Sequence, residues 1–141
     1  MNTRLLANKQ QVFCDWRKKW VRLTPEENVR QQVLHHLVEQ LGYPTSLIGV
    51  EVAIEVGAGV TKRCDAVVYT PQLRPLILLE FKAPEVSLTQ TTLDQAAVYN
   101  TTIHAPWLIL ANGKQTVVAH ITPENEITFL NTIPAWSQLL P

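Results

Sequence analysis

The spacing of apolar residues predicts one long amphipathic helix in the first third of the chain. Between Thr24 and Gly42 they recur at intervals of three and four, at Val29, Val33, Leu34, Leu37, Val38 and Leu41. Thr24 followed by Pro25 and Glu27 is typical of a helix start, in which Glu27 completes a capping box. Gly42 is suited to end the helix.

Two charged side chains lie on or beside the apolar stripe of this helix. Arg30 falls within the stripe and Glu27 lies at its edge, which is unusual for charged groups without partners. Arg30 should therefore face an anionic ligand, or its apolar stem should pass the core so that its guanidinium pairs with a structural carboxylate. The sequence leaves both readings open.

Three strands are predicted after the helix. Residues 48–56 alternate between apolar and small or acidic side chains, which indicates a strand with one face against the core. A second strand is expected at 62–69 and a third at 76–82. The third is apolar on both faces, as in the centre of a sheet.

The second half of the chain predicts another helix and further strands. Gln95 and Tyr99 lie one turn apart on a helix expected at 88–103. A buried strand, a hairpin at Asn112-Gly113, a return strand and an edge strand follow, at 107–110, 116–119 and 127–130. This order predicts a mixed α/β (α+β) domain whose central mixed β-sheet is flanked by helices.

Composition narrows the class of protein. The chain has 141 residues, 46% of them hydrophobic, which suits one sizeable core. Neither a run long enough to cross a bilayer nor a secretory signal is apparent, so we expect a cytoplasmic protein without membrane contact. Cys14 and Cys64 lack zinc-site spacing and are expected to be reduced thiols.

Charge limits how the protein could contact nucleic acid. Twelve basic and twelve acidic residues give a formal net charge of zero, so any such contact must come from local patches. Arg17, Lys18 and Lys19 lie between Trp16 and Trp20. That cluster suits phosphate and base contact, but a solvated basic turn with two anchoring tryptophans is the favoured interpretation. Two further candidate nucleic-acid contacts are Arg30 and Arg63.

Three residues form the candidate catalytic group. Glu80 and Lys82 are two residues apart and share one face of the third strand, and Asp65 on the second strand can join them if the strands are neighbours. Two carboxylates suit Mg²⁺, for which Mn²⁺ can substitute, and Lys82 would stabilise developing charge. The spacing alone also fits a cross-strand salt bridge.

Several separated motifs carry a family resemblance between about Arg17 and Gly113. They are the segments 24–31 (TPEENVRQ), 62–65 (KRCD), 79–84 (LEFKAP), 94–100 (DQAAVYN) and 112–113 (NG). In these the sequence resembles stand-alone relatives of the N-terminal nuclease domain of type I restriction enzyme R subunits, a branch of the PD-(D/E)XK nucleases. Cys64 stands where the family's name would put proline.

The resemblance implies a restriction-endonuclease-like α-β-β-β-α-β core. It implies a metal held by Asp65 and Glu80, Lys82 as the catalytic lysine, and the pair Gln95 and Tyr99 as an accessory helix motif. A first-helix glutamate can approach the metal in this family, which carries over to Glu27, although its capping role would explain it equally well.

The leading hypothesis is therefore a Mg²⁺-dependent endonuclease acting on DNA, with residues 1–23 as a basic and aromatic extension and 24–141 as the nuclease-like domain. A homodimer would present two sites. No Gly-rich phosphate loop of an ATP-driven motor is present, so helicase or modification subunits would be separate partners. One alternative is a non-catalytic nucleic-acid or protein-binding module with this fold, and another is a purely structural set of salt bridges.

Overall fold

The computed structural model of the protein describes residues 1–140 and contains two sheets. The strands are β1 (Thr3–Leu6), β2 (Lys9–Cys14), β3 (Lys19–Arg22), β4 (Ile48–Glu55), β5 (Thr61–Tyr69), β6 (Pro75–Phe81), β7 (Trp107–Ala111), β8 (Thr116–Ile121) and β9 (Ile127–Leu130). The helices are α1 (Pro25–Glu39), α2 (Gln90–Ile103) and a short α3 (Trp136–Leu139), with one 3₁₀ turn at Thr45–Leu47.

The larger sheet has six strands in the order β4-β5-β6-β7-β8-β9. Every neighbouring pair is antiparallel except β6 and β7, which are parallel and joined by α2. This is the expected mixed sheet with helices, and α1, β4, β5, β6, α2 and β7 follow each other in the predicted α-β-β-β-α-β order. The fold-class prediction is confirmed.

The central strand β6 is buried on both faces, as its sequence predicts. Leu79 packs in a cluster with Leu34 and Leu37 of α1, whereas Leu78 packs on the opposite face with Ala96 of α2. Ala96 is the only fully buried residue of α2. The second helix is therefore lightly packed against the sheet, and most of its surface borders solvent.

The strand at 48–55 is present, but the prediction that one face of it meets the core is wrong. Ile48 and Val50 pack on the α1 side of the sheet, whereas Val52 and Ile54 pack on the α2 side. Glu51, between these pairs, has a φ of 54°, a left-handed conformation uncommon for a residue with a Cβ. Because of this left-handed residue, the apolar side chains before and after Glu51 point to opposite faces of the sheet. Glu51 itself is turned toward the α1 side.

The first helix begins where the sequence predicts. The hydroxyl of Thr24 accepts a hydrogen bond from the backbone N–H of Glu27 at 3.0 Å. The Glu27 carboxylate does not return the bond, because arginine side chains engage it instead, so half of the expected capping box is missing. The helix ends at Glu39, and Gly42 follows with a φ of 78°.

Residues before Thr24 form a separate antiparallel sheet in the order β1-β2-β3, which the sequence pattern did not reveal. Val12 and Cys14 are its buried residues. The division of the chain into residues 1–23 and 24–141 stays a prediction. Among residues 1–140, no helix has the length and apolar character needed to cross a membrane.

Candidate active site

The predicted catalytic residues meet where β5 and β6 separate. Backbone pairing of the two strands extends to Ala66 opposite Leu79. Beyond that pair a side chain takes the place of backbone pairing between the strands: Asp65 Oδ2 accepts a hydrogen bond from the Phe81 N–H at 2.7 Å. The carboxylate of Asp65 is thereby held against the end of β6, beside Glu80.

Cys64, in the position that the family's name gives to proline, is part of this separation. Its side chain is fully buried, and its thiol donates to the carbonyl oxygen of Val52 at 3.3 Å. Burial, followed by the nearby charge of Glu80, raises the pKa of Cys64 to about 12. The thiol therefore stays protonated and acts as a small apolar group that leaves Asp65 in place.

Glu80 is half-buried, and one of its two carboxyl oxygens has no partner. Its Oε1 is shielded from solvent and has no hydrogen bond among residues 1–140. Burial raises the pKa of Glu80 to about 9, with the negative charge of Asp65 as the second cause. Two carboxyl groups are therefore held close together in a poorly solvated place, and the positive charge of Lys82 acts in the opposite sense by lowering the pKa of Glu80.

Glu80 opens onto a cavity of about 370 Å³ between the strand ends and α2. The other lining residues are Val56, Lys62, Lys82, Thr92, Gln95, Ala96, Val98 and Tyr99. The structure thus brings Glu80, Lys82, Gln95 and Tyr99 to one cavity. Burial, and then the charges of Glu80 and Asp65, raise the pKa of the Tyr99 phenol. Tyr99 is therefore a neutral hydrogen-bonding group near both carboxylates.

Glu27 lies in a different environment from the one the resemblance suggests. Its carboxylate, 5% exposed, accepts hydrogen bonds from Arg17, from Arg30 at 2.9 and 3.3 Å, and from Gln31 at 3.0 Å. Burial alone would raise the pKa of Glu27, but these hydrogen bonds lower it below its ordinary value. We call Glu27, Arg17, Arg30 and Gln31 the Glu27 cluster. Its contacts give Glu27 a structural role, and the approach of Glu27 to a metal stays a prediction.

Arg17 and Arg30, two of the candidate nucleic-acid contacts, point into the protein, and their contact with nucleic acid stays a prediction. Their side chains are only 13% and 8% exposed, because both point into the Glu27 cluster. Arg30 continues toward the active site and donates to the backbone oxygen of Asp65 at 3.2 Å. The structural-carboxylate reading of Arg30 is the one that the geometry supports.

The remaining basic candidates are at the surface. Lys18, in the turn between β2 and β3, and Lys19, the first residue of β3, are exposed. Arg63 is 73% exposed, with its guanidinium 3.6 Å from the Glu51 carboxylate. Whether these three contact nucleic acid stays a prediction.

Two residues near the site were not singled out from the sequence. Lys62 lines the cavity from β5 and adds a second cation to it. Burial, followed by the charge of Asp65, raises the pKa of Glu26, and Lys82 acts on it in the opposite sense. Glu26, one residue before Glu27, is thus the first-helix glutamate that lies near the site. The capping pattern at Thr24 drew attention to its neighbour instead.

A magnesium ion fits this arrangement better than a metal that needs a full set of protein ligands. Among residues 1–140, no group of three or more His, Cys, Asp or Glu side chains could hold a metal. Mg²⁺ needs only one or two carboxylates, since it keeps several waters and shares substrate phosphates. The unpartnered Glu80 Oε1 beside Asp65 supplies such a pair.

A second and larger cavity, of about 620 Å³, lies between α1, β8 and the C-terminal segment. Its lining contains no carboxylate and no lysine or arginine; His36 is the sole ionisable side chain there among residues 1–140. The smaller cavity, in contrast, is lined by the charged residues Lys62, Glu80 and Lys82.

Comparison with known proteins identifies relatives of this chain by sequence and by fold. The family described as "type I restriction enzyme R protein N terminus" matches residues 25–134. A solved fragment of an HsdR subunit of a type I restriction enzyme from Vibrio vulnificus YJ016 has a similar fold, with a TM-score of 0.58 at 17% sequence identity. The match covers 82% of this chain and 24% of that one, so this chain spans about a quarter of it. No curated protein matches the sequence.

Proposed function

The chain belongs to the family of type I restriction enzyme R protein N-terminal domains, and we propose that it is a Mg²⁺-dependent nuclease domain that hydrolyses phosphodiester bonds in DNA. The observation that carries the proposal is the pair of Asp65 and Glu80. One carboxylate is fixed by the Phe81 N–H, and the other keeps a buried oxygen without a hydrogen bond. Such a pair is costly to retain unless a cation binds it.

Asp65 and Glu80 would hold the metal, and Mn²⁺ could take its place. When bound, the ion supplies neutralisation of the phosphate charge and lowers the pKa of a coordinated water. Lys82 lies two residues after Glu80 and lines the same cavity, and it would stabilise negative charge that develops on the phosphate. Lys62 contributes a second positive charge to the same wall.

Gln95 and Tyr99 would position the substrate. They project from α2 into the cavity, opposite the end of β6. An amide and a neutral phenol offer hydrogen bonds to phosphate oxygens or to a water without adding charge. Both would therefore orient the substrate, while the charged residues would bind the metal and stabilise the developing charge.

The biological setting follows from the family in outline. DNA is the proposed substrate, a homodimer would present two sites, and helicase or modification subunits are the proposed partners. The cytoplasm is the proposed location.

Cleavage of supercoiled and linear DNA by the purified chain, with Mg²⁺, Mn²⁺ or EDTA, tests the proposal. We expect metal-dependent nicking that disappears in Asp65→Ala. Glu124→Ala is the control, because it removes an exposed carboxylate in the turn between β8 and β9. Cleavage that persists in Asp65→Ala or in EDTA would overturn the site assignment.

Calorimetric titration with Mn²⁺ measures metal binding independently of cleavage, and together with the cleavage assay it distinguishes a nuclease from a non-catalytic module. Glu80→Gln should abolish the binding while the far-UV circular dichroism of the fold is retained. Metal binding without cleavage would indicate a module whose chemistry depends on another subunit. Absence of metal binding in the unmodified chain would favour a purely structural role for these carboxylates.

A further inference from the structure

The neutral net charge of the chain conceals a strong asymmetry. Residues 1–23 contain six basic residues and one acidic residue, a net charge of +5, whereas residues 24–141 contain six basic and eleven acidic residues, a net charge of −5. The six N-terminal cations are Arg4, Lys9, Arg17, Lys18, Lys19 and Arg22. One small sheet thus carries half of the positive charge of the protein.

The β1-β2-β3 sheet has one buried face and one outward face. Val12 and Cys14 point into the protein, so the alternate positions Gln11 and Phe13 point outward. The pairing of the strands aligns Arg4, Gln11 and Arg22 across all three strands on the outward side. Lys9 alternates onto the same side and is exposed. We call Arg4, Lys9 and Arg22 the basic face.

Aromatic contacts make part of this face rigid. The Arg4 guanidinium lies 4.2 Å from the centre of the Trp20 ring, and its Nε donates to Gln11 Oε1 at 2.8 Å. Phe13 packs edge-on against Trp20, with ring centres 5.6 Å apart. A guanidinium stacked on a tryptophan loses less freedom when it binds a phosphate than a free side chain would.

The positive charges of this face are not neutralised within the protein. In the part of the chain that the structure describes, the ion pairs involve Arg17, Arg30, His35 and Arg63, and none involves the basic face. Lys18, in the adjoining turn, and Lys19, the first residue of β3, are exposed and likewise outside these pairs. The sheet therefore presents a patch of uncompensated positive charge to solvent.

The sheet is fastened next to the active site. Arg17, in the turn between β2 and β3, pairs with Glu27 and lies 3.2 Å from Glu51. Arg30 joins the same cluster to the backbone of Asp65. The sheet also lies outside the residues 25–134 that match the family. It is thus a charged addition beside the matched region, linked to the site by buried ion pairs.

We propose that the basic face binds the phosphodiester backbone of DNA and holds it beside the Asp65–Glu80 site. This proposal rests on the proposed function, since it names the surface through which that site would receive its substrate. Lysine and arginine contacts to phosphates supply affinity without reading sequence. Among polyanions, DNA is favoured because the sheet that carries this face is joined, through Arg17, Glu27 and Arg30, to the backbone of Asp65 in the proposed nuclease site.

The test compares two doubly substituted full-length proteins. Lys9→Gln with Arg22→Gln removes two cations of the basic face whose side chains make no hydrogen bond within residues 1–140. Arg74→Gln with Lys114→Gln removes two exposed cations far from it in sequence. Binding to a fluorescein-labelled DNA duplex is measured by anisotropy in EDTA, which prevents metal-dependent cleavage, over a series of salt concentrations.

We expect the first protein to bind roughly tenfold more weakly at low salt, with a log–log salt slope reduced by roughly two, since each lost phosphate contact removes about 0.9. The second should match the unsubstituted chain. Equal behaviour of the two proteins, or loss of binding to phosphatidylserine vesicles but not to DNA, would overturn the proposal. Thermal unfolding of both verifies that the sheet is intact.

These outcomes are distinct from failure of the nuclease. Binding in EDTA does not depend on the metal site, so a protein that binds DNA through the basic face but never cleaves it would refute only the proposed function. A protein that cleaves in the Asp65-dependent way but binds equally well without Lys9 and Arg22 would refute only the basic face.

Discussion

Two glutamates of this protein, the buried Glu27 and the half-buried Glu80, differ in whether cationic side chains donate hydrogen bonds to their carboxyl groups. Glu27 receives hydrogen bonds from two arginines and a glutamine, which lower its pKa. Glu80 has a buried oxygen with no hydrogen bond, and burial raises its pKa to about 9. The fold provides internal neutralisation at one position and withholds it at the other, which is what distinguishes a structural carboxylate from a candidate ligand.

Replacing Glu27 by Ala should produce the largest effect, on stability. The change leaves Arg17 and Arg30 buried without their main partner, which typically costs about 3–5 kcal/mol in the free energy of unfolding. Urea unfolding followed by tryptophan fluorescence measures it. Glu39→Ala, an exposed glutamate on the same helix, serves as the control and should change little. Equal stabilities would show that the cluster is not what holds α1 to the N-terminal sheet.

Replacing Lys82 by Met should affect cleavage and spare metal binding. Loss of a charge that stabilises the transition state typically lowers the rate by about 10²–10³. Single-turnover cleavage and a Mn²⁺ titration are compared on the same preparation, with Lys114→Met as the control for an exposed lysine. A variant that cleaves normally would remove Lys82 from the catalytic group.

The pH dependence of stability should have opposite signs for the two glutamates. In metal-free protein, Glu80 keeps its proton up to about pH 9, whereas the unfolded chain releases it near 4.5. The folded state then binds more protons in this range, so Glu80 makes the free energy of unfolding decrease as the pH rises. For Glu27, whose pKa is lowered, stability is present above 4.5 and is lost as the pH falls below it.

Melting temperatures in EDTA across this range measure the Glu80 effect as the difference between the unsubstituted chain and Glu80→Gln. The substituted protein should lack the decline. Mg²⁺ should raise the melting temperature of the unsubstituted chain alone, because a ligand that binds only the folded state stabilises it. The same decline in both proteins would indicate that Glu80 is not the group responsible.

The smallest effects are expected on the helix side of the cavity. Gln95→Ala and Tyr99→Phe each remove one neutral hydrogen-bonding group, worth about 0.5–1.5 kcal/mol, so each should lower cleavage by at most about tenfold. Thr101→Ala, on an exposed part of α2, is the comparison. A loss as large as that of Lys82→Met would show that Gln95 and Tyr99 contribute as much to catalysis as the charged residues.

The sequence by itself determined the order of elements and the identity of the central strand. Period-two alternation, the apolar run of β6 and the turn at Asn112-Gly113 depend on local rules that a single chain shows directly. The spacing of Glu80 and Lys82 placed both on one strand end, and neighbouring strands brought Asp65 to them. These features survive because they require only adjacent residues or adjacent strands.

Only the tertiary structure decided which charged residues have an ion-pair partner within the protein. The sequence left open whether Arg17 and Arg30 contact a ligand or a group of the protein. In the structure each pairs with Glu27, which for Arg17 lies on a different element. The left-handed Glu51 and the face formed by Arg4 and Arg22 likewise depend on pairings between strands. Local sequence cannot specify the partner of a long side chain, because that partner is chosen by how distant elements pack.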